Sequence, residues 1–414
     1  MRILYIDSKF ASPRAASHAR VHHFGQRLLE RGHEVTIVGR NAGKLELESP
    51  ETRKGGFVTH GKLDGLAVVL LKVPYAQEFS KTGRIMSYGG FTSAAAATAL
   101  TLGRFDLVFA SSSPLTIGLA GMAAAQRSHA PWVFEIQDLW PALPIALGVL
   151  KGRREIQAAR WLEQKLYDSA ARVIVCSEGS SEALRRSGVP AEKVVLVPNI
   201  ADVEHFRPDV FDPEFRDRHG FDGKFVAIYA GQMGITNGLD QLVDAAAVLR
   251  DRGEDRVVIA AAGQGPEKSR LQERVRSLGL DNMVFLPDMP RDEVPRVVGS
   301  GDAAITAFAP NPMLETNSPN KFFDSLAAGK PTIVNLNGWL RRLVEQNRAG
   351  LYVPADSGIA LAEALSGLAG NPELVRELGE NARALAEREF ARDLLADRFA
   401  DTLEEAASQR HVTA

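Results

Sequence analysis

The 414-residue chain has one cysteine, Cys176. A single thiol excludes an internal disulfide and fits a reducing compartment. Long apolar runs are also missing. The longest weakly polar stretch, Leu115–Ala125, falls well short of the roughly 20 residues that cross a bilayer. The start, MRILYIDSKF, reads as a strand ended by Asp7 and lacks the apolar core of a signal peptide. A cytoplasmic location follows as an expectation. No His/Cys cluster has zinc spacing, so no metal site is expected. Gly329-Lys330 runs into Pro331 rather than Ser or Thr, which excludes a P-loop. No aromatic-basic interleaving has the pattern of a nucleic-acid binder, so no nucleic-acid partner is expected.

What is present describes a soluble globular protein, with 45% hydrophobic and 24% charged residues. The length is too great for one ordinary core, and two domains are expected. The net charge of −2 hides an asymmetry. Residues 1–200 hold 25 Lys and Arg against 17 Asp and Glu; residues 201–414 hold 24 against 34. A basic half suits anionic lipid or a pyrophosphate-linked acceptor; an unevenly charged solvated surface explains it as well. The run Lys72–Phe91 mixes Lys72, Lys81 and Arg84 with Tyr75, Phe79, Tyr88 and Phe91. That mixture suits peripheral membrane contact, and equally a buried or flexible loop.

Short β-rich runs alternate with helical patterns. Arg2–Ile6 is a strand, Ala16–Arg31 a helix and Glu34–Val38 the next strand, a doubly wound opening. Further strands are expected at 67–72, 106–110, 132–136 and 172–176, all in one parallel sheet. The pattern restarts at Phe225–Tyr229. Strands Arg256–Ala261, Met283–Leu286, Ala303–Thr306 and Thr332–Asn335 continue a second sheet. The domains expected are 1–200 and 201–385, followed by a charged helix over 386–414.

One stretch concentrates the chemistry: residues 317–337, NSPNKFFDSLAAGKPTIVNLN. A polar loop with Pro319 leads into a helix from Asn320 to about Ala328. Ser318 and Asn320 are candidate caps. The first backbone N–H groups of such a helix bind anions, diphosphates included. Lys321 lies at the helix start, and Asp324 follows on the same face. The N–H groups and Lys321 suit the diphosphate of a nucleotide sugar, and Asp324 suits the ribose hydroxyls. An ordinary exposed lysine is the alternative for Lys321.

Two more turns follow strands of the second sheet. Gly263-Gln264-Gly265 permits close backbone approach to a phosphate, or is a plain β-α turn. Gly231, Gln232 and Asn237 lie in the other. In the first half, Asp138 follows a strand in Glu135-Ile136-Gln137-Asp138-Leu139-Trp140-Pro141. It suits orienting or deprotonating an acceptor hydroxyl, or is a turn aspartate before Pro141. Glu178 is a second acidic candidate. Arg14, His18 and Arg20 fall in or near the first β-α loop, where the arginines suit an acceptor phosphate. His18 is as readily a surface or capping residue.

The segment PNKFFDSLAAGKPTIVN resembles the donor-site segment of family 4 retaining glycosyltransferases, in their bacterial polysaccharide branch. The resemblance implies the GT-B fold: α/β, two Rossmann-like doubly wound domains facing a central cleft, and a C-terminal helix crossing back. It implies a glycosyltransferase of hexosyl or N-acetylhexosaminyl type, working without cofactor. The donor would be a nucleotide sugar, UDP-linked rather than GDP-linked. The acceptor would be a glycan or lipid-linked molecule in O-antigen, capsule or exopolysaccharide synthesis, at the inner face of the cell membrane. Asp324 occupies the position of the family's ribose-binding glutamate. A second family glutamate falls on Thr316, with Glu315 one place away. Many relatives carry arginine at position 232 and lysine at 237, where this chain has Gln232 and Asn237. Lys321 then remains as the cation for the leaving diphosphate. No Asp-x-Asp is present, so metal-independent transfer is expected. With this resemblance, Gly231, Gln232, Asn237, Gly263, Gly265, Asn320, Lys321 and Asp324 are the candidates for donor binding and Asp138 and Lys321 for catalysis; Arg14, His18 and Arg20, where most relatives have a Gly-Gly pair, are the acceptor candidates by their place in the first β-α loop. A sugar-nucleotide 2-epimerase of the same fold and a non-catalytic donor-binding scaffold are the alternatives.

Overall fold

The computed structural model describes residues 1–10, 19–41, 45–53, 55–75 and 79–409. They form two compact units. The first is Met1–Pro198 with the segment from Asp393 onward; the second is Asn199–Arg392.

The first unit is built on nine strands. These are β1 (Arg2–Asp7), β2 (Glu34–Arg40), β3 (Glu48–Arg53), β4 (Val58–Leu63), β5 (Leu66–Leu71), β6 (Leu107–Ser111), β7 (Trp132–Ile136), β8 (Arg172–Val175) and β9 (Val194–Leu196). Their order is β3-β4-β5-β2-β1-β6-β7-β8-β9. The central strands are apolar runs buried throughout, as a sheet covered on both faces requires: LVFAS and WVFEI expose no residue. The strands from β5 to β9 pair in parallel. The expectation of a wholly parallel sheet is corrected at one edge, where β3, β4 and β5 form an antiparallel meander. β3, with sequence ESPETR, is exposed at every position. A charged edge strand buries nothing and so leaves no apolar pattern to read.

The helix Arg392–Ser408 completes this unit. Its Phe399 ring stacks on Phe24 at 4.5 Å and meets Phe109 edge-on at 5.0 Å. Asp397, Asp401 and Glu404 ring the Arg31 guanidinium at 2.7, 2.6 and 3.2 Å. The sequence reading began the crossing helix at 386. Instead, Ala386–Phe390 forms a π-helical turn that stays with the second unit. There Phe390 packs on Phe323 at 5.0 Å, and Arg392 pairs with Glu204 at 2.7 Å.

The second unit carries six strands: β10 (Phe225–Ala230), β11 (Val257–Ala262), β12 (Met283–Phe285), β13 (Ala303–Thr306), β14 (Thr332–Val334) and β15 (Gly350–Tyr352). Their order is β12-β11-β10-β13-β14-β15, all parallel. Tyr229, Leu242, Ile259 and Ile305 belong to its core. Both sheets are thus Rossmann-like, and ligands of such sheets gather at the carboxyl ends of the strands. Among the described residues, no helix is long and apolar enough to cross a membrane.

Candidate functional site

In the second unit, the helix Asn320–Ala327 connects β13 to β14 and starts at the carboxyl edge of the sheet. Its N-cap is Pro319, and no side chain caps it. Ser318 and Asn320 therefore do not cap as expected. Pro319 occupies the cap position, leaving Ser318 outside the helix and Asn320 as its first residue. The Ser318 Oγ is buried without a hydrogen-bond partner. Two distant side chains hold the loop instead. Asn199 Nδ2 donates to the Ser318 carbonyl, and Trp339 Nε1 donates to the Asn317 carbonyl at 2.8 Å. The first amides of the helix are left with no side-chain acceptor.

Lys321 is half-buried, with its amine turned inward. Its Nζ donates to Tyr229 Oη at 2.7 Å. The same atom lies 4.3 Å from the centre of the Tyr229 ring and 5.1 Å from that of Phe308. Burial lowers its ammonium to about 7. No carboxylate among the described residues pairs with it, so nothing anionic offsets the loss of water. From the sequence Tyr229 is only the last residue of a strand. A polar tip on a fully buried strand residue was the available signal, because a buried tyrosine hydroxyl needs a partner. Phe308 is held by Asn335, which accepts from the Phe308 N–H and donates to its carbonyl, both at 2.8 Å.

The glycines have a structural explanation. Gly263 and Gly265 have φ of +138° and +156°. A Cβ on Gly263 would run into the Gly231 carbonyl, and one on Gly265 into that of Met233. The loops after β10 and β11 are laced together: Gly231 N–H to Ala262 at 2.9 Å, Met233 N–H to Gln264 at 2.7 Å. The close approach these glycines permit is to a neighbouring backbone. Gly231 has a second neighbour, since a Cβ there would sit 3.2 Å from Lys321 Cε. Gln232 is exposed, and its carbonyl accepts from Tyr229 Oη at 2.5 Å. Asn237 turns inward and its Oδ1 accepts from the Gly234 N–H at 3.1 Å.

Asp324 is 7% exposed and engaged within the fold. Thr316 donates to the Met313 carbonyl at 2.8 Å, which fixes a turn. Glu315 is half-buried, and desolvation raises its carboxyl.

The first unit gathers a different set at its carboxyl edge. Asp138 is half-buried and accepts from Ser113 Oγ at 3.3 Å. Glu178 is exposed. Arg14 and His18 lie outside the described residues. Arg20 requires correction as an acceptor ligand. It is buried, and its guanidinium is consumed internally. Nε and Nη2 donate to Glu135 Oε1 at 3.0 and 2.7 Å, Nη2 to the Val197 carbonyl at 2.8 Å, and Nη1 to that of Pro198. The other Glu135 oxygen takes a hydrogen bond from Ser111 at 2.7 Å. Four of the five guanidinium N–H donors are thus used inside the fold, and the side chain is buried, so little of it is left for a phosphate. Among the described residues, no three His, Cys, Asp or Glu side chains are grouped to hold a metal ion.

Comparison with known proteins finds likeness along most of the chain. Residues 16–200 match the glycosyl transferase 4-like domain, and residues 211–385 match the glycosyl transferases group 1 domain. Alpha-D-kanosaminyltransferase of Streptomyces kanamyceticus is 24% identical over 246 residues, 58% of this chain and 62% of that protein. The chain covers 53% and 42% of two further curated relatives, so it spans about half the length of several it matches. Sucrose-phosphate synthase from Thermosynechococcus elongatus has a TM-score of 0.77 at 18% identity, over 99% of each chain. Anabaena HepE in complex with UDP-glucose has a TM-score of 0.72 at 17% identity, over 98% of this chain and all of its own. The chain thus matches two glycosyl transferase domains in series and carries them on two Rossmann-like sheets, the arrangement of the GT-B fold.

Proposed function

We propose that the protein moves a sugar, with retention of configuration, from a nucleoside diphosphate sugar to a glycan or lipid-linked acceptor in cell-surface polysaccharide synthesis. The observation that carries this reading is Lys321. It is a cation with no carboxylate partner, beside a helix start at the carboxyl edge of a Rossmann-like sheet. Enclosed positive charge of this kind suits the charge that develops on a departing diphosphate. Proton uptake by the amine then accompanies binding of the anion, because a nearby negative charge favours the ammonium.

In this reading the donor rests on the second unit. The amides of Asn320 and Lys321 and the loops at Gly231 and Gly263 face the diphosphate, and Asp324 takes the ribose hydroxyls. The acceptor rests on the first unit near Asp138. UDP is the proposed nucleotide, in keeping with the UDP-glucose held by the fold neighbour HepE. No divalent ion is invoked, since Lys321 and the helix amides can neutralise the leaving group. Both matched domains are glycosyl transferase domains, which favours transfer over 2-epimerisation.

The test is a thermal-shift panel of UDP, GDP, TDP and ADP sugars. A bound donor at a hundredfold its dissociation constant stabilises by about 2.7 kcal/mol. Stabilisation by UDP sugars above the others supports the reading. No response to any of the four defeats it. Loss of turnover on chelation, restored by Mg²⁺, would overturn metal independence.

A further inference from the structure

We infer that Tyr229 is the positioning residue for the diphosphate cation: its hydroxyl holds the Lys321 amine beside Gly231 while leaving the positive charge uncompensated. The inference rests on the reading of Lys321 given above and assigns a role to a residue that does not itself touch the donor.

The geometry is specific. Tyr229 is fully buried on β10, and its hydroxyl proton goes to the Gln232 carbonyl at 2.5 Å. That bond fixes the hydroxyl rotor, so the oxygen lone pairs are offered to Lys321 Nζ at 2.7 Å. The Tyr229 and Phe308 rings flank the same atom at 4.3 and 5.1 Å. Gly231 completes the seat. A side chain there would meet Lys321 Cε at 3.2 Å and Nζ at 3.3 Å.

The chemistry explains why a phenol fits here. A carboxylate would orient the amine better, but it would pair with the charge and cancel the field offered to a ligand. A neutral hydroxyl orients without cancelling. An ammonium has three donors. Tyr229 takes one, which leaves two for phosphate oxygens. The buried network behind Phe308 keeps this arrangement stiff. Asn335 Nδ2 donates to Gln241 Oε1 at 2.8 Å, and Gln241 Nε2 donates to the Pro354 carbonyl at 2.6 Å.

The experiment is a double-mutant cycle on the full-length protein, read as kcat and donor KM with a UDP sugar. Tyr229→Phe keeps the ring and removes the hydroxyl. It is expected to lower kcat about tenfold while KM moves less than about threefold, because the contact matters most as charge develops. In the Lys321→Met background the same change should cost almost nothing further. An equal loss in both backgrounds would show that Tyr229 acts through the fold, and would overturn the inference. If Tyr229→Phe does not fold, Gly231→Ala takes its place. Its Cβ presses on Lys321 Cε and Nζ at 3.2 and 3.3 Å and reaches the Tyr229 hydroxyl only at ordinary contact, 3.4 Å; it should give the same kcat-selective loss, and unchanged kcat counts against the seat. Labelling of the Lys321 amine by acetic anhydride, followed by mass spectrometry, separates this inference from the functional reading. Faster labelling in Tyr229→Phe supports the contact even where no sugar nucleotide binds, and an unchanged rate refutes it.

Discussion

The two sheets end alike and are used differently. At the carboxyl edge of the first, Arg20 and Glu135 are buried together, and every bond they make is internal. At the same edge of the second, Lys321 is enclosed with only a neutral hydroxyl and two rings. A paired buried charge belongs to the framework, because removing either partner strands the other. A buried charge lacking a counter-ion is costly, and its pKa falls toward neutrality. Such a cost is tolerated where a ligand supplies the missing charge. The contrast therefore separates an arginine paired within the fold from the lysine proposed to meet the diphosphate, although both read as basic residues near a β-α turn.

The sharpest way to break the contrast is Arg20→Met. It leaves Glu135 buried and unpaired, and should cost about 3–5 kcal/mol of stability in urea unfolding. A loss below about 1 kcal/mol would mean that Arg20 is not a framework residue. Next comes Lys321→Ala. Here kcat should fall on the order of a hundredfold, with a smaller rise in donor KM. Near-normal kcat would give the diphosphate to another cation.

Gly263→Ala tests the laced loops. Its φ of +138° and the Gly231 carbonyl both oppose a Cβ, and about 1–3 kcal/mol should be lost from backbone strain alone. Full stability would mean that the loop yields easily.

The smallest effects are in pH dependence, where the two units should differ in sign. Burial raises the Asp7 carboxyl to about 6 in the first unit. The folded state then holds a proton that the unfolded chain has released, so the Asp7 contribution falls as pH rises from about 4 to 6. Asp7→Asn should stabilise by about 1 kcal/mol at pH 7.5 and less near pH 4. Lys321, at about 7, lies below the ordinary lysine value. Between about 7 and 10 the unfolded chain binds the extra proton, so its contribution rises with pH. Lys321→Met should remove that slope. Melting curves from pH 4 to 10 decide both.

Legibility followed apolar burial. The strands that form the core of each sheet, such as Phe225–Ala230, announced themselves as β-rich runs. The exposed β3 and the three-residue strands β9 and β15 did not, since short or solvent-facing strands carry little pattern. Lys321 and the glycine turns stood out in the sequence as candidates because residue type limits what they can do. Arg20 was misread because sequence shows the charge and not its partner, and Glu135 lies 115 residues away. Tyr229 was overlooked for the same reason. Its meaning depends on Lys321, 92 residues later.

The terminal helix has a consequence for how the chain is made. The first unit draws its strands from residues 2–196 and its last helix from residues beyond Arg392, so in sequence the whole second unit is an insertion within the first. A ribosome delivers the second unit, Asn199–Arg392, as one continuous stretch that can collapse as soon as it emerges. The first unit must wait. Until Phe399 arrives, Phe24 and Phe109 lack the ring that covers them. A fragment stopped near residue 392 should therefore hold a finished second unit beside a sticky, unfinished first one. Nascent chains of that length are where chaperone capture should be strongest.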